Sequence, residues 1–86
     1  MDFEKIVHTI VDPFIMNPEA LMVRELPAEG DKDIVLLICT EAEDTARLIG
    51  KKGSVANALR EVISVAGKNE GKRIHLKFES FEEEHE

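Results

Sequence analysis

Two segments with helical patterning meet at the stretch Leu48-Ile49-Gly50-Lys51-Lys52-Gly53-Ser54, around which the rest of the chain is arranged. Glycine tolerates positive φ and has no side chain, so a Gly-x-x-Gly turn lets its backbone approach a ligand closely. The helix that follows directs unpaired N–H groups and a partial positive charge at the turn, which suits an anion. The two lysines at the tip add mobile cations. These features predict a loop that grips phosphate.

A bare Gly-x-x-Gly also has a simpler interpretation, in which it is only a tight turn between two helices with a solvated tip. Motif matches of this kind are hypotheses that need structural context. The stretch is not a Walker A loop, because that motif has four residues between its glycines and a Lys-Ser/Thr after the second. The rest of the chain therefore has to distinguish between the two interpretations.

The charge of the chain is unevenly distributed. Its 86 residues are enough for one small domain, and 43% of them are hydrophobic. The net charge of −7 argues against binding to nucleic acid or membrane through overall charge. However, residues 47–60 include four basic residues and no acidic one, whereas residues 79–86 include five acidic residues and no Lys or Arg. The sequence therefore predicts a local positive patch on an acidic protein.

The number of cysteines and the composition of the N-terminal segment indicate the cellular compartment of the protein. A single cysteine, Cys39, cannot form an intrachain disulfide, and its apolar neighbours predict a buried thiol. Acidic residues lie among the first twenty, where a signal peptide would have a basic start and an unbroken apolar run. No stretch approaches the roughly 20 apolar residues of a membrane span. We expect a cytoplasmic protein that does not enter the membrane.

Hydrophobic periodicity divides the chain into six elements. In order, they are a helix, two strands, two helices on either side of the glycine turn, and a last strand, over residues 3–15, 22–26, 34–39, 41–49, 54–66 and 73–79. Asp2 is a suitable N-cap for the first helix, and Pro13 followed by Asn17-Pro18 should end it. Three helices on one face of a three-stranded mixed sheet make an α+β two-layer domain of order α-β-β-α-α-β. We predict one domain over residues 1–80 and an acidic, flexible tail over residues 81–86.

Helix boundaries and helix faces carry further signals. Thr40 and Glu43 have the spacing of a capping box at the start of the second helix. Gly67 suits the position just after the end of the third helix. Two faces of the second helix are apolar enough to pack inward: Thr45 with Leu48, or Ala42 with Ala46 and Ile49.

The strand over residues 34–39 has apolar side chains on both faces. Strands of this kind are usually buried on both sides. We therefore expect the side away from the helices to be covered, either by a second subunit or by the chain's own ends. The sequence leaves both possibilities open.

This order of elements resembles a type II KH domain, and in particular the small single-domain bacterial KH proteins of the KhpA type. The resemblance covers nearly the whole chain, and it favours the phosphate-gripping loop over the bare turn. The matching pieces occur in the family's order: Pro13 with Asn17-Pro18, Asp44 followed by Leu48-Ile49-Gly50-Lys51-Lys52-Gly53, Ala58-Leu59-Arg60, and Glu70-Gly71-Lys72-Arg73. The chain departs from the family pattern at Ser54, where a basic residue is frequent, and at Ala46, where glycine is common.

The resemblance implies a single-stranded RNA-binding protein, because a KH fold clamps about four nucleotides with its Gly-x-x-Gly loop. The groove would lie between that loop with its flanking helices and an opposite wall made of the last strand and the loop over residues 68–72. Related proteins suggest an RNA chaperone or post-transcriptional regulator that forms homodimers or pairs with a larger KH protein, KhpB (also called Jag). The implied RNA-binding residues are Arg47, Ile49, Gly50, Lys51, Lys52, Gly53, Ser54, Val55 and Arg60.

Other function classes are less compatible with the sequence. A protein-interaction adaptor that binds a partner through the apolar strand or the acidic tail is the alternative. An enzyme is disfavoured, because the three histidines are scattered and no nucleophile–base pair or metal-ligand spacing is present. We therefore expect no catalytic residue, metal or cofactor. The lack of Trp and Tyr also disfavours RNA-binding modules that stack bases on aromatic side chains, such as RRM and OB folds.

Overall fold

The computed structural model of the protein describes residues 2–81 and confirms the predicted α-β-β-α-α-β order. The acidic segment 82–86, which belongs to the predicted tail, lies outside the described residues. Short 3₁₀ turns occur at Asp12–Phe14, Pro18–Ala20 and Lys51–Gly53. The helices and strands of the described part are α1 (Phe3–Val11), β1 (Met22–Leu26), β2 (Asp33–Thr40), α2 (Ala42–Ile49), α3 (Ser54–Asn69) and β3 (Arg73–Ser80).

The three strands form one mixed sheet in the order β1-β2-β3. β1 pairs antiparallel with β2, and Val23 lies opposite Ile38. β2 pairs parallel with β3, and Leu36 lies opposite Leu76. β3 is therefore an edge strand, and its alternation of exposed and buried residues agrees with the predicted half-buried strand.

The core lies between one face of this sheet and the three helices. Leu36 and Ile38 of β2 are buried there. They form one cluster with residues from the helices and β3: Val7, Val11, Ile15, Leu48, Leu59, Ile63, Ile74 and Leu76. On the opposite face Cys39 is buried, as predicted, but Val35 and Leu37 are only half-buried. The described residues therefore cover that face of β2 only in part.

The first helix begins as predicted but ends earlier. The Asp2 side chain caps it by accepting the Lys5 N–H at 3.1 Å. Regular α-helix stops at Val11, and Asp12–Phe14 continue as a 3₁₀ turn. Pro13 has no N–H to donate to the carbonyl of Thr9, so the α-helical pattern cannot continue through it.

The predicted capping box at the start of α2 is wrong. Glu41 is the N-cap residue and makes no side-chain cap. Thr40 is instead the last residue of β2, and its hydroxyl is buried 2.6 Å from that of Thr45. Because the Thr45 Oγ1 also lies 3.2 Å from the Glu79 carbonyl, the two threonines join α2 to the sheet. Of the two candidate faces, Thr45 with Leu48 packs inward, while Ala46 is exposed.

Gly67 does not follow the end of α3, as predicted, but lies buried within it. The helix ends two residues later in a Schellman motif, in which the Lys72 N–H donates to the Gly67 carbonyl (2.8 Å) and the Gly71 N–H to the Lys68 carbonyl (3.1 Å). Gly71 provides the left-handed conformation that this motif needs, with φ of 70°. A Cβ on Gly67 would lie 2.7 Å from Cγ1 of Ile74 and 2.8 Å from the Lys72 carbonyl oxygen. Gly67 therefore permits a close approach between α3 and β3.

Candidate functional site

The glycine turn connects the end of α2 directly to the start of α3. The Gly50 N–H donates to the Ala46 carbonyl at 2.9 Å, and the Gly53 N–H donates to the Gly50 carbonyl at 3.2 Å. Both glycines have positive φ, 75° at Gly50 and 78° at Gly53. Lys52 is also left-handed, with φ of 55°, which is unfavourable for a side chain larger than glycine by about 1–2 kcal/mol. The two glycines adopt these angles at little cost, whereas Lys52 is held in an unfavourable conformation by the fold around it.

The two glycines are required for different reasons. A Cβ on Gly50 would lie 2.5 Å from the Val55 Cγ2 and 2.8 Å from the Val55 N. Gly50 therefore lets α3 begin directly above the end of α2. A Cβ on Gly53 would approach only Asn57, at 3.9 Å. The space above Gly53 is thus open among the described atoms and is available to a ligand.

The corner formed by the turn and the start of α3 favours an anion. Lys51, Lys52 and Ser54 are exposed. Among the described residues, no side chain caps the N-terminus of α3 at Gly53. A helix of 16 residues directs its first N–H groups and a partial positive charge of roughly half a unit at this point. The positive end of the helix therefore lies next to two exposed lysines of the turn.

Two apolar residues flank the turn in different environments. Ile49 is 40% exposed at the end of α2. Val55 is half-buried, contacts the core, and lies directly over Gly50. Ile49 is therefore available to contact a ligand, whereas Val55 mainly supports the turn.

Arg47 is paired with a buried carboxylate. Its Nη1 donates to Oδ1 of Asp44 at 2.8 Å, and the same carboxylate accepts the N–H groups of Met16 (2.9 Å) and Asn17 (3.0 Å). Asp44 is 2% exposed. The Met16 N–H contributes most to lowering the pKa of Asp44 from its ordinary value, with Asn17 and Arg47 adding to it and burial opposing it. The charge of Arg47 is therefore largely compensated, and Asp44 connects α2 to the segment after α1.

Arg60 lies against the edge strand rather than beside the turn. Its Nη2 donates to the Leu76 carbonyl at 3.3 Å. Its guanidinium carbon is 5.3 Å from the centre of the Phe78 ring, within the range of a cation–π contact. Arg60 therefore lies on the side of α3 that faces β3, about 9 Å along the helix from Ser54 at 1.5 Å per residue.

A cleft of about 290 Å³ lies between the end of α3 and the start of β3, lined by Ser64, Lys68, Lys72, Arg73, Ile74 and His75. Fourteen positions along α3 separate Lys68 from Ser54. At a rise of 1.5 Å per residue this is roughly 21 Å. The loop over residues 68–72, expected as the wall opposite the glycine turn, thus lies at the other end of α3.

Beside this cleft, Asp33 binds two basic side chains of β3. Arg73 donates to both carboxylate oxygens, at 2.9 Å from Nε and 3.2 Å from Nη2. His75 Nε2 lies 3.1 Å from Oδ1 of Asp33. The Arg73 hydrogen bonds, followed by that of His75, hold the pKa of Asp33 well below its usual range, and Asp33 raises the pKa of Arg73 in turn. The Asp33 charge is therefore neutralised locally.

Sequence reasoning found the turn but not the roles of Asp44 and of the cleft. Asp44 belonged to the family resemblance, yet nothing in the sequence relates it to the backbone of residues 16 and 17. The cleft had a weak signal, because Arg60, Ser64 and Lys68 are spaced four residues apart and therefore share one face of a helix. Within residues 2–81, no group of three or more His, Cys, Asp or Glu side chains is arranged to hold a metal ion. No helix of that range is long and apolar enough to cross a membrane.

Comparisons with known proteins all indicate one family. The family model described as "KhpA/KhpB, KH domain" matches residues 4–78. The RNA-binding protein KhpA of Bacillus subtilis strain 168 is 35% identical over 77 residues, which are 90% of this chain and 89% of the relative. The RNA-binding protein KhpA of Listeria monocytogenes serovar 1/2a is 32% identical over 73 residues, 85% of this chain and 93% of the relative. That of Aquifex aeolicus strain VF5 is 31% identical over 71 residues, 83% of this chain and 87% of the relative. No solved structure matches the chain significantly.

Proposed function

The chain belongs to the KhpA/KhpB family of KH domains, and on that premise we propose that it binds single-stranded RNA by gripping the sugar-phosphate backbone at Gly50–Gly53. The observation that carries the proposal is the corner at this turn, where the positive end of α3 meets two exposed lysines and open space above Gly53. The relatives that share most of their length with this chain are named RNA-binding proteins. A KH fold clamps about four nucleotides at such a loop.

In this proposal the residues of the corner have distinct tasks. Gly53 admits the backbone because it has no side chain, and the positive N-terminal end of α3 faces a phosphate, although the Ser54 N–H itself donates to the Lys51 carbonyl. Lys51 and Lys52 neutralise phosphate charge. Ile49 contacts a base through its exposed side chain. Val55, Arg47 and Arg60 act less directly, since Val55 supports the turn and the two arginines are held by Asp44 and β3.

A site of this size implies weak, salt-sensitive and broadly selective binding. With two or three phosphates neutralised, log K should fall with log salt concentration at a slope of roughly −1.5 to −2 for a single strand. The chain has no Trp or Tyr on which bases would stack. Linking two such sites in a dimer would raise the effective affinity without new contacts.

We further propose a non-catalytic role in the cytoplasm, as an RNA chaperone or post-transcriptional regulator. Residues 1–80 would act as one KH domain with an acidic, flexible tail over residues 81–86. A homodimer, or a heteromer with a larger KhpB/Jag-type protein, is supported by apolar side chains that the described residues leave open to solvent. Val62 and Val65 of α3 are 53% and 63% exposed, and Val35 and Leu37 of β2 are half-buried on the outer face of the sheet.

The test is fluorescence anisotropy with short single-stranded RNA pools. We expect the double variant Lys51→Asp, Lys52→Asp to fold normally and lose binding. Asp tolerates the left-handed conformation of position 52 better than most residues. The matched control is Lys5→Asp, Arg24→Asp, which makes the same charge change at two exposed positions of α1 and β1, away from the turn and from β3, and should retain most of the binding.

If the turn variant binds RNA as tightly as the wild type, the proposed grip at Gly50–Gly53 is wrong. A protein-interaction adaptor that uses the outer face of β2 would then be the better account of the fold. Light scattering on the same samples tests the dimer independently, because a monomer of 9.7 kDa is readily distinguished from a dimer.

A further inference from the structure

One side of α3 carries a row of polar and basic residues from the middle of the helix to the cleft. Arg60, Ser64 and Lys68 follow one another at intervals of four residues, which places them on one face of the helix. Arg60 contacts β3, and both Ser64 and Lys68 line the cleft together with residues of β3. The row therefore faces the edge strand along its whole length.

The residues that line this cleft include three cations and no carboxylate, and the nearest acidic residue in the chain beside the lysines is the exposed Glu70. Within the described residues, neither Lys68 nor Lys72 makes an ion pair, although the Lys72 Nζ donates to the Asp31 carbonyl at 3.3 Å. The nearby Asp33 carboxylate is already bound by Arg73 on both oxygens. Two ammonium groups thus remain to attract an anion.

The shape of the cleft suits a phosphate with part of its sugar. Its volume of about 290 Å³ is near the lower end of the range for ligand pockets, about 300–1,000 Å³. Ile74 contributes an apolar surface, and the hydroxyl of Ser64 adds a hydrogen-bond donor. The close approach at Gly67 brings the end of α3 next to Lys72, so that cations from two different elements line the same space.

We propose that this cleft binds a second phosphate group of the RNA strand that is held at Gly50–Gly53, with the strand running along α3 between the two sites. The inference rests on the proposed RNA binding at the turn and adds a second contact roughly 21 Å away along the helix. A strand reaches the cleft only when it extends beyond the about four nucleotides that a KH loop clamps. Affinity should therefore increase with RNA length.

The experiment is an anisotropy series with RNA oligonucleotides of 4, 6, 8 and 10 nucleotides at fixed salt concentration. For the wild type we expect the affinity to rise about tenfold from the 4-mer to the 10-mer, as charge-assisted contacts to phosphate are gained. In Lys68→Gln, Lys72→Gln this gain should disappear, while the affinity for the 4-mer stays within twofold of the wild type. The slope of log K against log salt for the 10-mer should become shallower by roughly 1.4, the value for two phosphate contacts on a single strand.

The control Lys5→Gln, Arg24→Gln removes the same charge from α1 and β1 and should keep the length-dependent gain. The phosphate that binds in the cleft could be a terminal phosphate or an internal phosphodiester of the RNA. To distinguish the two, the series is repeated with oligonucleotides that carry a 5′-phosphate, a 3′-phosphate or only hydroxyl ends. A gain that requires a terminal phosphate assigns the cleft to the strand end, and a gain with hydroxyl ends assigns it to an internal phosphodiester. The single variant Lys68→Gln, at an exposed position, provides the test if the double variant folds poorly.

The proposed function and the second phosphate site would be refuted by different results. If the 4-mer does not bind the wild type, or binds the Lys51→Asp, Lys52→Asp variant equally well, the proposed function fails. If the 4-mer binds through the turn but the wild type shows no length-dependent gain, the second site is overturned. The same conclusion holds if the gain persists without Lys68 and Lys72.

Discussion

Replacing Gly67 by alanine tests whether α3 and β3 are held as closely as the structure describes. In an exposed helix interior this change stabilises a protein by about 1 kcal/mol, because glycine is a poor helix former. At Gly67 the new Cβ would lie 2.8 Å from the Lys72 carbonyl oxygen and 2.7 Å from the Ile74 Cγ1. The carbonyl belongs to the backbone and cannot move without disturbing the Lys72 N–H, which donates to Gly67 itself.

The expected sign is therefore opposite to that of helix propensity. Inserting a methyl group into a packed site costs about 1–3 kcal/mol. Subtracting the propensity gain of about 1 kcal/mol leaves Gly67→Ala less stable than the wild type by roughly 1 kcal/mol. For a domain of this size, that loss corresponds to a melting temperature lower by roughly 4–8 °C.

Thermal unfolding followed by circular dichroism measures this difference. Asn57→Ala is the matched control, because it introduces alanine at an exposed position of the same helix and should raise the melting temperature slightly. If Gly67→Ala melts above the wild type, the close approach does not constrain the structure. In that case Lys68 and Lys72 would not be held on either side of one cleft, and the second phosphate site would lose its structural basis.

Two further predictions concern Asp44 and the glycines of the turn. Asp44→Asn should be less stable than the wild type at neutral pH, because the N–H groups of Met16 and Asn17 lose a charged acceptor. Folding lowers the pKa of Asp44, so the stability that its carboxylate contributes is present above the unfolded pKa of about 3.9 and is lost as the pH falls through the folded value. In a series of thermal melts, the stability difference between the two proteins should therefore narrow as the pH falls below about 5. A difference independent of pH would contradict this assignment. Gly50→Ala should destabilise the fold by about 2–5 kcal/mol, since both its φ of 75° and the contact with Val55 exclude a side chain. Gly53→Ala should cost only about 1 kcal/mol of backbone strain while weakening RNA binding, and equal losses of stability in urea unfolding would show that the two glycines have the same role.

Much of the fold could be predicted from the sequence because the signals are local. The alternation of Ile74, Leu76 and Phe78 with charged residues specifies a half-buried strand without knowledge of its neighbours. The periodic apolar residues of α1 and α3 specify amphipathic helices in the same way. Pro13 likewise ends a helix by its own chemistry, although the sequence placed the end one turn too late.

The turn at Gly50–Gly53 was also accessible from the sequence, because glycine's freedom at positive φ is a property of the residue itself. What the sequence did not reveal is that the two glycines differ. Gly50 accommodates Val55 five residues later, whereas the space above Gly53 stays open. Only the tertiary structure distinguishes a glycine required by the fold from one that a ligand can use.

The remaining features depend on residues far apart in the chain, and only the tertiary structure determined them. Asp44 accepts hydrogen bonds from residues 27 and 28 positions earlier, and Thr45 lies 34 positions before the Glu79 carbonyl that its hydroxyl contacts. Thr40, expected as a capping residue, is buried in the core against the Thr45 hydroxyl. Gly67, expected to follow the end of a helix, is buried where α3 packs on β3. Propensity and spacing describe the free energy of a segment on its own. The packing of one segment against another is decided by which surfaces the whole chain brings together, and no local pattern contains that information.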